Sequence, residues 1–178
     1  GRATYTNRFI ETRGLVRERE AGEPIWHGMR EPVPAALARE PYKDASNTDV
    51  KAHAGALVTT FYLCGVPYRV DGRTLATLGP ASYAKDFGAV SSHVKIDEAT
   101  GEMMIFSYGP RPPYMKYGVV DRTGTLVHAA DVPLRGVPLP HDMAITDTHS
   151  VLMELSVFPD PAALAKGRWR TGFHADTP

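Results

Sequence analysis

Short runs in which apolar or β-branched residues alternate with polar ones recur along most of this chain, and they predict strands. The clearest lie at residues 54–62, 68–70, 102–108, 114–120 and 126–130, separated by turns rich in Asp and Gly. In Asp121-Arg122-Thr123-Gly124 the glycine comes last, as a type I turn with a following bulge requires. Residues 141–146 and 150–157 predict another hairpin around Asp147-Thr148-His149, and strands are expected at residues 1–9 and 167–174. Helical pattern is confined to the first 50 residues. Residues 13–21 are good helix formers stopped by Gly22, and Ala35-Ala36-Leu37-Ala38 offers one further helical turn. That turn lies within a proline-rich stretch, residues 23–41, which reads as a long loop.

The turns carry a rhythm. Asp71, Asp97 and Asp121 each punctuate a strand pair, at intervals of 97 − 71 = 26 and 121 − 97 = 24 positions. Evenly spaced short strands fit a propeller, a sandwich or a barrel, and the rhythm does not choose among them. The histidines do. His93 and His141 each stand where a strand is about to begin, 141 − 93 = 48 positions apart. Ligands on one helix sit three or four residues apart. A gap of 48 matches one four-stranded propeller blade of roughly 40–50 residues. Histidines recurring once per blade would meet at the central axis, where a metal could sit.

Composition narrows the function classes. Twenty basic residues balance twenty acidic ones, so nothing draws the chain to nucleic acid. The single cysteine, Cys64, excludes an internal disulfide and suits a reducing cytoplasm. No apolar run reaches transmembrane length and no signal pattern opens the chain, so a soluble cytoplasmic protein is expected. Both ends read as cut within sheet elements. Residues 1–178 are therefore expected to be an internal part of a single domain, truncated at both ends.

Most of the seven histidines need no special role. His27, His128, His149 and His174 fall in loops, turns or an exposed-looking strand, and His53 suits a core histidine bonded to backbone. On residue chemistry alone, His93 and His141 remain open between strand capping and metal ligation.

Residues 7–12 (Asn-Arg-Phe-Ile-Glu-Thr), 46–50 (Ser-Asn-Thr-Asp-Val), 53–55 (His-Ala-Gly), 67–71 (Pro-Tyr-Arg-Val-Asp) and 74–79 (Thr-Leu-Ala-Thr-Leu-Gly) together resemble segments of the carotenoid cleavage oxygenase family. Residues 92–97 (Ser-His-Val-Lys-Ile-Asp) resemble the family's first ligand motif. Residues 141–146 (His-Asp-Met-Ala-Ile-Thr) resemble its second, with Met143 where many members have phenylalanine. The resemblance implies an all-β fold, a seven-bladed propeller of which this chain holds about two to three blades, with one or two short helices near the N-terminus. It implies Fe(II) held by four histidines, of which His93 and His141 would be the first two and the others would lie beyond Pro178. It also implies dioxygen-dependent cleavage of a carbon–carbon double bond in a carotenoid, an apocarotenoid or a related conjugated alkene. An apolar substrate of that kind is gripped by aromatic side chains, for which Trp26, Phe61, Tyr62 and Phe87 are the candidates, each equally suited to the core.

The chain departs from the family pattern in two places. Leu63 stands where a glutamate commonly orients an imidazole. Members that cleave lignostilbenes hold the phenolic hydroxyl with a lysine and a tyrosine, and Tyr62 and Met29 stand near those positions. A polyene or apocarotenoid is favoured over a phenolic stilbene on that account. Residues 23–41 fall where membrane-associated members carry an apolar entry patch; Glu31, Arg39 and Glu40 interrupt it, leaving a solvated lid and a peripheral membrane contact both open. The competing readings are a non-catalytic propeller scaffold and a propeller hydrolase, which would want carboxylates near its axis. The isolated piece is expected to be inactive, because two imidazoles hold iron weakly and the propeller is open. The oligomeric state is not readable from the sequence.

Overall fold

Two antiparallel meanders, each four strands in chain order, make up most of the computed structural model. It describes residues 1–28, 31, 33–40, 42–63, 65–137, 139–155, 157–164, 166 and 171–173. The first sheet comprises β1 (Asp49–His53), β2 (Ala56–Thr60), β3 (Tyr68–Val70) and β4 (Thr77–Pro80). The second comprises β5 (Lys95–Ile96), β6 (Met103–Tyr108), β7 (Tyr114–Val120) and β8 (Leu126–Pro133). Two small pairs follow: β9 (Ala144–Ile145) with β10 (Ser150–Val151), and β11 (Val157–Pro159) with β12 (Thr171–Phe173). Consecutive four-stranded meanders are the blade unit of a propeller.

Within the second sheet β6 is packed on both faces, whereas the edge strand β8 is largely exposed. Met103 and Ile105 of β6 pack against Ala81, Tyr83, Phe87, Val90 and Val94 of the segment between the sheets, with Val120 from β7. That segment contains the short helix α1 (Ala84–Phe87). The alternate residue Phe106 points the other way, against Met115 and Met143, with Ile145 and Leu152 packed around them. Side chains alternate across a strand, so a strand apolar at every position belongs between two layers. At Gly118 on β7 the fit is tightest: a β-carbon would sit 2.6 Å from Phe87 Cε2 and 3.2 Å from Ile105 Cγ1.

The helix expected over the early residues forms as read, spanning Arg13–Ala21. Thr12 caps it by accepting from the Leu15 amide, and Gly22 ends it at φ +72°. Asp44 pins its start to the first sheet, accepting from the amides of Arg13 (3.1 Å) and Gly14 (2.6 Å) and from the Tyr68 hydroxyl (2.8 Å). The proline-rich loop folds back over this helix: Arg13 and Arg17 pair with Glu40, and the Trp26 indole donates to the Glu40 carbonyl. Its expected helical turn is a 3₁₀ turn at Ala35–Leu37. Among the described residues no helix is long and apolar enough to cross a membrane.

Three sequence expectations need correction. Residues 1–9 form no strand; Tyr5 and Phe9 are exposed, the Arg19 guanidinium lies over the Phe9 ring, Arg8 donates to the Thr74 carbonyl, and the nearby Glu11 amide donates to the Thr77 hydroxyl of β4. Strand propensity there finds no ladder partner among the described residues. The run at 54–62 is not one strand, because Ala54 and Gly55, both at positive φ, turn the chain between β1 and β2. The hairpin expected over 141–157 shrinks to β9 and β10, and His141 stands just ahead of its strand, as expected. Of the strand expected at 167–174, only β12 lies within the described residues.

Gly118→Ala is expected to destabilise the intact protein by about 1–3 kcal/mol through overpacking against Phe87. Phe106→Ala is expected to cost about 3–5 kcal/mol through the cavity it leaves. Chemical denaturation checks both, and an unchanged midpoint for Gly118→Ala would show that the Phe87 contact is slack.

Candidate metal centre

His93 lies two residues before β5 and His141 three residues before β9, so each leads into the opening strand of its sheet. The structure brings them together: the ring centroids are 5.0 Å apart, with the planes inclined by 45°. His93 is half-buried and sits in the left-handed region at φ +57°, a conformation costing about 1–2 kcal/mol for a residue with a β-carbon. Such strain persists only where the surroundings enforce it. Here the neighbours do: Ser91 and Ser92 are fully buried, and the Ser91 amide donates to the Phe106 carbonyl at 2.8 Å.

The second imidazole is flanked by Tyr62, whose ring centroid lies 4.9 Å from that of His141. Tyr62 is held by its backbone, since its carbonyl accepts from the Ser91 hydroxyl at 3.0 Å and from the Tyr108 hydroxyl at 2.7 Å. Phe61 meets the Tyr62 ring edge-on and lines an adjoining cleft of about 480 Å³ with Tyr42, Leu63, Val66 and Ala89.

An ion pair joins the two histidine segments. Lys95, two residues after His93, donates to Asp142, the neighbour of His141, at 2.6 Å, and Asp142 also accepts from the Met143 amide at 2.7 Å. Partial burial alone would raise the Asp142 pKa. The Lys95 hydrogen bond, the Met143 amide and the charges of Lys95 and His93 outweigh it and hold the carboxyl below its usual range. On the other side, Asp49 at the start of β1 places its buried Oδ2 3.3 Å from His93 Nδ1 and 3.3 Å from Lys51 Nζ. Neither approach has hydrogen-bond geometry. Thr60, opposite Asp49 in the β1–β2 register, and Ser92, beside His93, also carry buried hydroxyls without a hydrogen-bond partner.

The remaining expected residues separate by environment. His53 is buried in the core and donates from Nε2 to the Gly101 carbonyl at 3.0 Å. His27, His128 and His149 are exposed. Trp26 and Phe87, expected as substrate-lining candidates, are packing residues: Trp26 lies under the Arg17 guanidinium, and Phe87 fills the core against Gly118. Met29, Cys64 and His174 lie outside the described residues. Among the described residues, no three His, Cys, Asp or Glu side chains are arranged to hold a metal ion. The two imidazoles are nonetheless the donor type that suits a divalent transition metal, and as a pair they leave most coordination positions to other ligands.

Two parts of this site escaped the sequence reading. The Lys95–Asp142 bridge joins residues 47 positions apart, within two motifs that were each read separately. Asp49 was visible only as part of a matching segment, although 93 − 49 = 44 is close to the blade interval.

A family model described as Retinal pigment epithelial membrane protein matches residues 1–177. The chain is 29% identical to "Carotenoid 9,10(9',10')-cleavage dioxygenase 1" of Phaseolus vulgaris, over 94% of this chain and 34% of that protein. It is 30% identical to "Carotenoid 9,10(9',10')-cleavage dioxygenase" of Crocus sativus, again over 94% of this chain and 34% of the relative. The crystal structure of Pseudomonas brassicacearum lignostilbene dioxygenase superposes with a TM-score of 0.79 at 25% identity, covering 96% of this chain and 36% of that one. The chain thus spans about a third of the length of the curated relatives it matches.

The Lys95–Asp142 bridge is partly exposed, with 28% and 44% of the two side chains accessible, so solvent screens it. A double-mutant cycle with Lys95→Met and Asp142→Asn is expected to give a coupling of about 0.5–1 kcal/mol in denaturation experiments. A coupling indistinguishable from zero would show that the bridge does not tie the two segments together.

Proposed function

This chain belongs to the retinal pigment epithelial membrane protein family, the carotenoid cleavage oxygenases, and from that premise we propose that the protein carrying it is an Fe(II)-dependent dioxygenase. Its reaction splits a carbon–carbon double bond of a carotenoid, an apocarotenoid or a related conjugated alkene into two carbonyl products, one oxygen atom of O₂ going to each. Residues 1–178 are an internal part of its single propeller domain. The observation that carries this reading is the 5.0 Å approach of the His93 and His141 rings, from the leading ends of successive sheets.

His93 and His141 are the two metal ligands this chain contributes, and the family pattern's other two histidines come from outside it. When bound, the iron supplies the activation of dioxygen that an apolar alkene cannot achieve alone. The chain's own residues do the rest. The +57° backbone turn at His93 and the Asp142–Lys95 bridge fix the two imidazoles. Tyr62, its ring 4.9 Å from that of His141 and inclined by 44°, packs beside the imidazole and presents an apolar surface to the alkene. Phe61 extends the surface into the cleft that Leu63 also lines. Tyr62 supplies no cation to a phenolate, which favours a polyene over a phenolic stilbene.

Metal analysis of the intact protein tests the reading. About one iron per chain is expected, with His93→Ala and His141→Ala each reducing iron and alkene cleavage to background. Iron retained by both variants would overturn the ligand assignment. With an apocarotenoid and a hydroxylated stilbene offered in parallel, kcat/KM is expected to favour the polyene by at least about tenfold, roughly the discrimination one lost polar contact gives. The reverse ratio reassigns the substrate class to phenylpropanoids. The isolated 178-residue chain is expected to show no turnover.

A further inference from the structure

The three leading ends are equivalent places in the fold. Asp49 is the first residue of β1, His93 comes two residues before β5 and His141 three residues before β9. The intervals, 93 − 49 = 44 and 141 − 93 = 48, are those of one blade. Each stands at or just before the leading end of its sheet, and the structure brings Asp49 Oδ2 to 3.3 Å from His93 Nδ1.

That oxygen is buried and makes no hydrogen bond, although only 15% of the side chain is accessible. Both ion-pair neighbours of that oxygen, His93 Nδ1 and Lys51 Nζ, lie 3.3 Å away, and a buried carboxylate oxygen gains by completing a hydrogen bond. The His93 ring is one such donor, its Nδ1 already within hydrogen-bond distance. Lys51, on the same face of β1 two residues on, also lies 3.3 Å from that oxygen.

We propose that Asp49 is the positioning residue for His93: its carboxylate accepts the Nδ1 proton, fixes that tautomer and leaves Nε2 as the nitrogen that meets the metal. A carboxylate behind a ligating imidazole makes the ring a stronger donor and restricts its orientation. The role rests on His93 being a metal ligand, as proposed above.

Cobalt(II) binding to the iron-free intact protein tests it, with affinity and the visible ligand-field spectrum as readouts, independent of turnover. Asp49→Asn is expected to weaken Co(II) binding roughly 10–100-fold and shift the spectrum, with Asp49→Leu at least as weak. Asp49→Glu is expected to recover part of the affinity, and the melting temperature of the metal-free protein should hold for Asp49→Asn. Affinity within about twofold of wild type in both Asn and Leu variants overturns the proposal, and so does a loss of affinity that only tracks loss of folding and is not recovered by Glu. Wild-type protein that binds no stoichiometric cobalt, or His93→Ala that binds it undiminished, sinks the metal reading itself, an outcome distinct from failure at Asp49.

Discussion

The placement of both histidine segments depends on the burial of β6 on its two faces. Met103 and Ile105 commit one face of β6 to the segment that follows the first sheet, and Phe106 commits the other to Met115 and Met143. A strand sealed on both sides cannot slide, because a one-residue slip would exchange the two apolar sets. The packing therefore fixes where the sheet's leading end lies, and with it His93. Met143, two residues after His141, is itself part of that core, so the same contact places the second imidazole.

Polar interactions refine what packing sets. Lys95 and Asp142 bridge the two histidine segments, and the Tyr62 carbonyl, held by two hydroxyls, keeps an aromatic ring against His141. The region also carries costs: a β-carbon-bearing residue at φ +57°, and buried oxygens of Asp49, Thr60 and Ser92 without hydrogen bonds. Comparable costs occur elsewhere in the fold, where Ala54, Leu75 and Tyr114 also take positive φ and the Tyr83 hydroxyl is buried without a hydrogen bond.

The family relation and the local geometry support one another without being the same argument. The relation rests on a match along residues 1–177; the geometry rests on two rings and their surroundings. Where this chain departs from the pattern, at Leu63 and Tyr62, its own structure says what those residues do: one lines an apolar cleft and the other covers an imidazole. Trp26 and Phe87 show the limit of reasoning from residue type, since an aromatic side chain fills a core as readily as it lines a tunnel.

The sequence alone determined the β-rich repeat, the capped helix at Arg13–Ala21 and the blade-length interval between His93 and His141. Periodicity, capping residues and turn glycines are local signals, and these features are local or strictly periodic. It misjudged residues 1–9 and the extent of the 141–157 hairpin, because a strand exists only where another chain segment offers a ladder. The Lys95–Asp142 bridge, the tyrosine over His141 and the carboxylate of Asp49 beside His93 were settled only by the tertiary structure. Each joins residues more than 40 positions apart, and no local pattern records which side chains the packing of separate sheets will bring face to face.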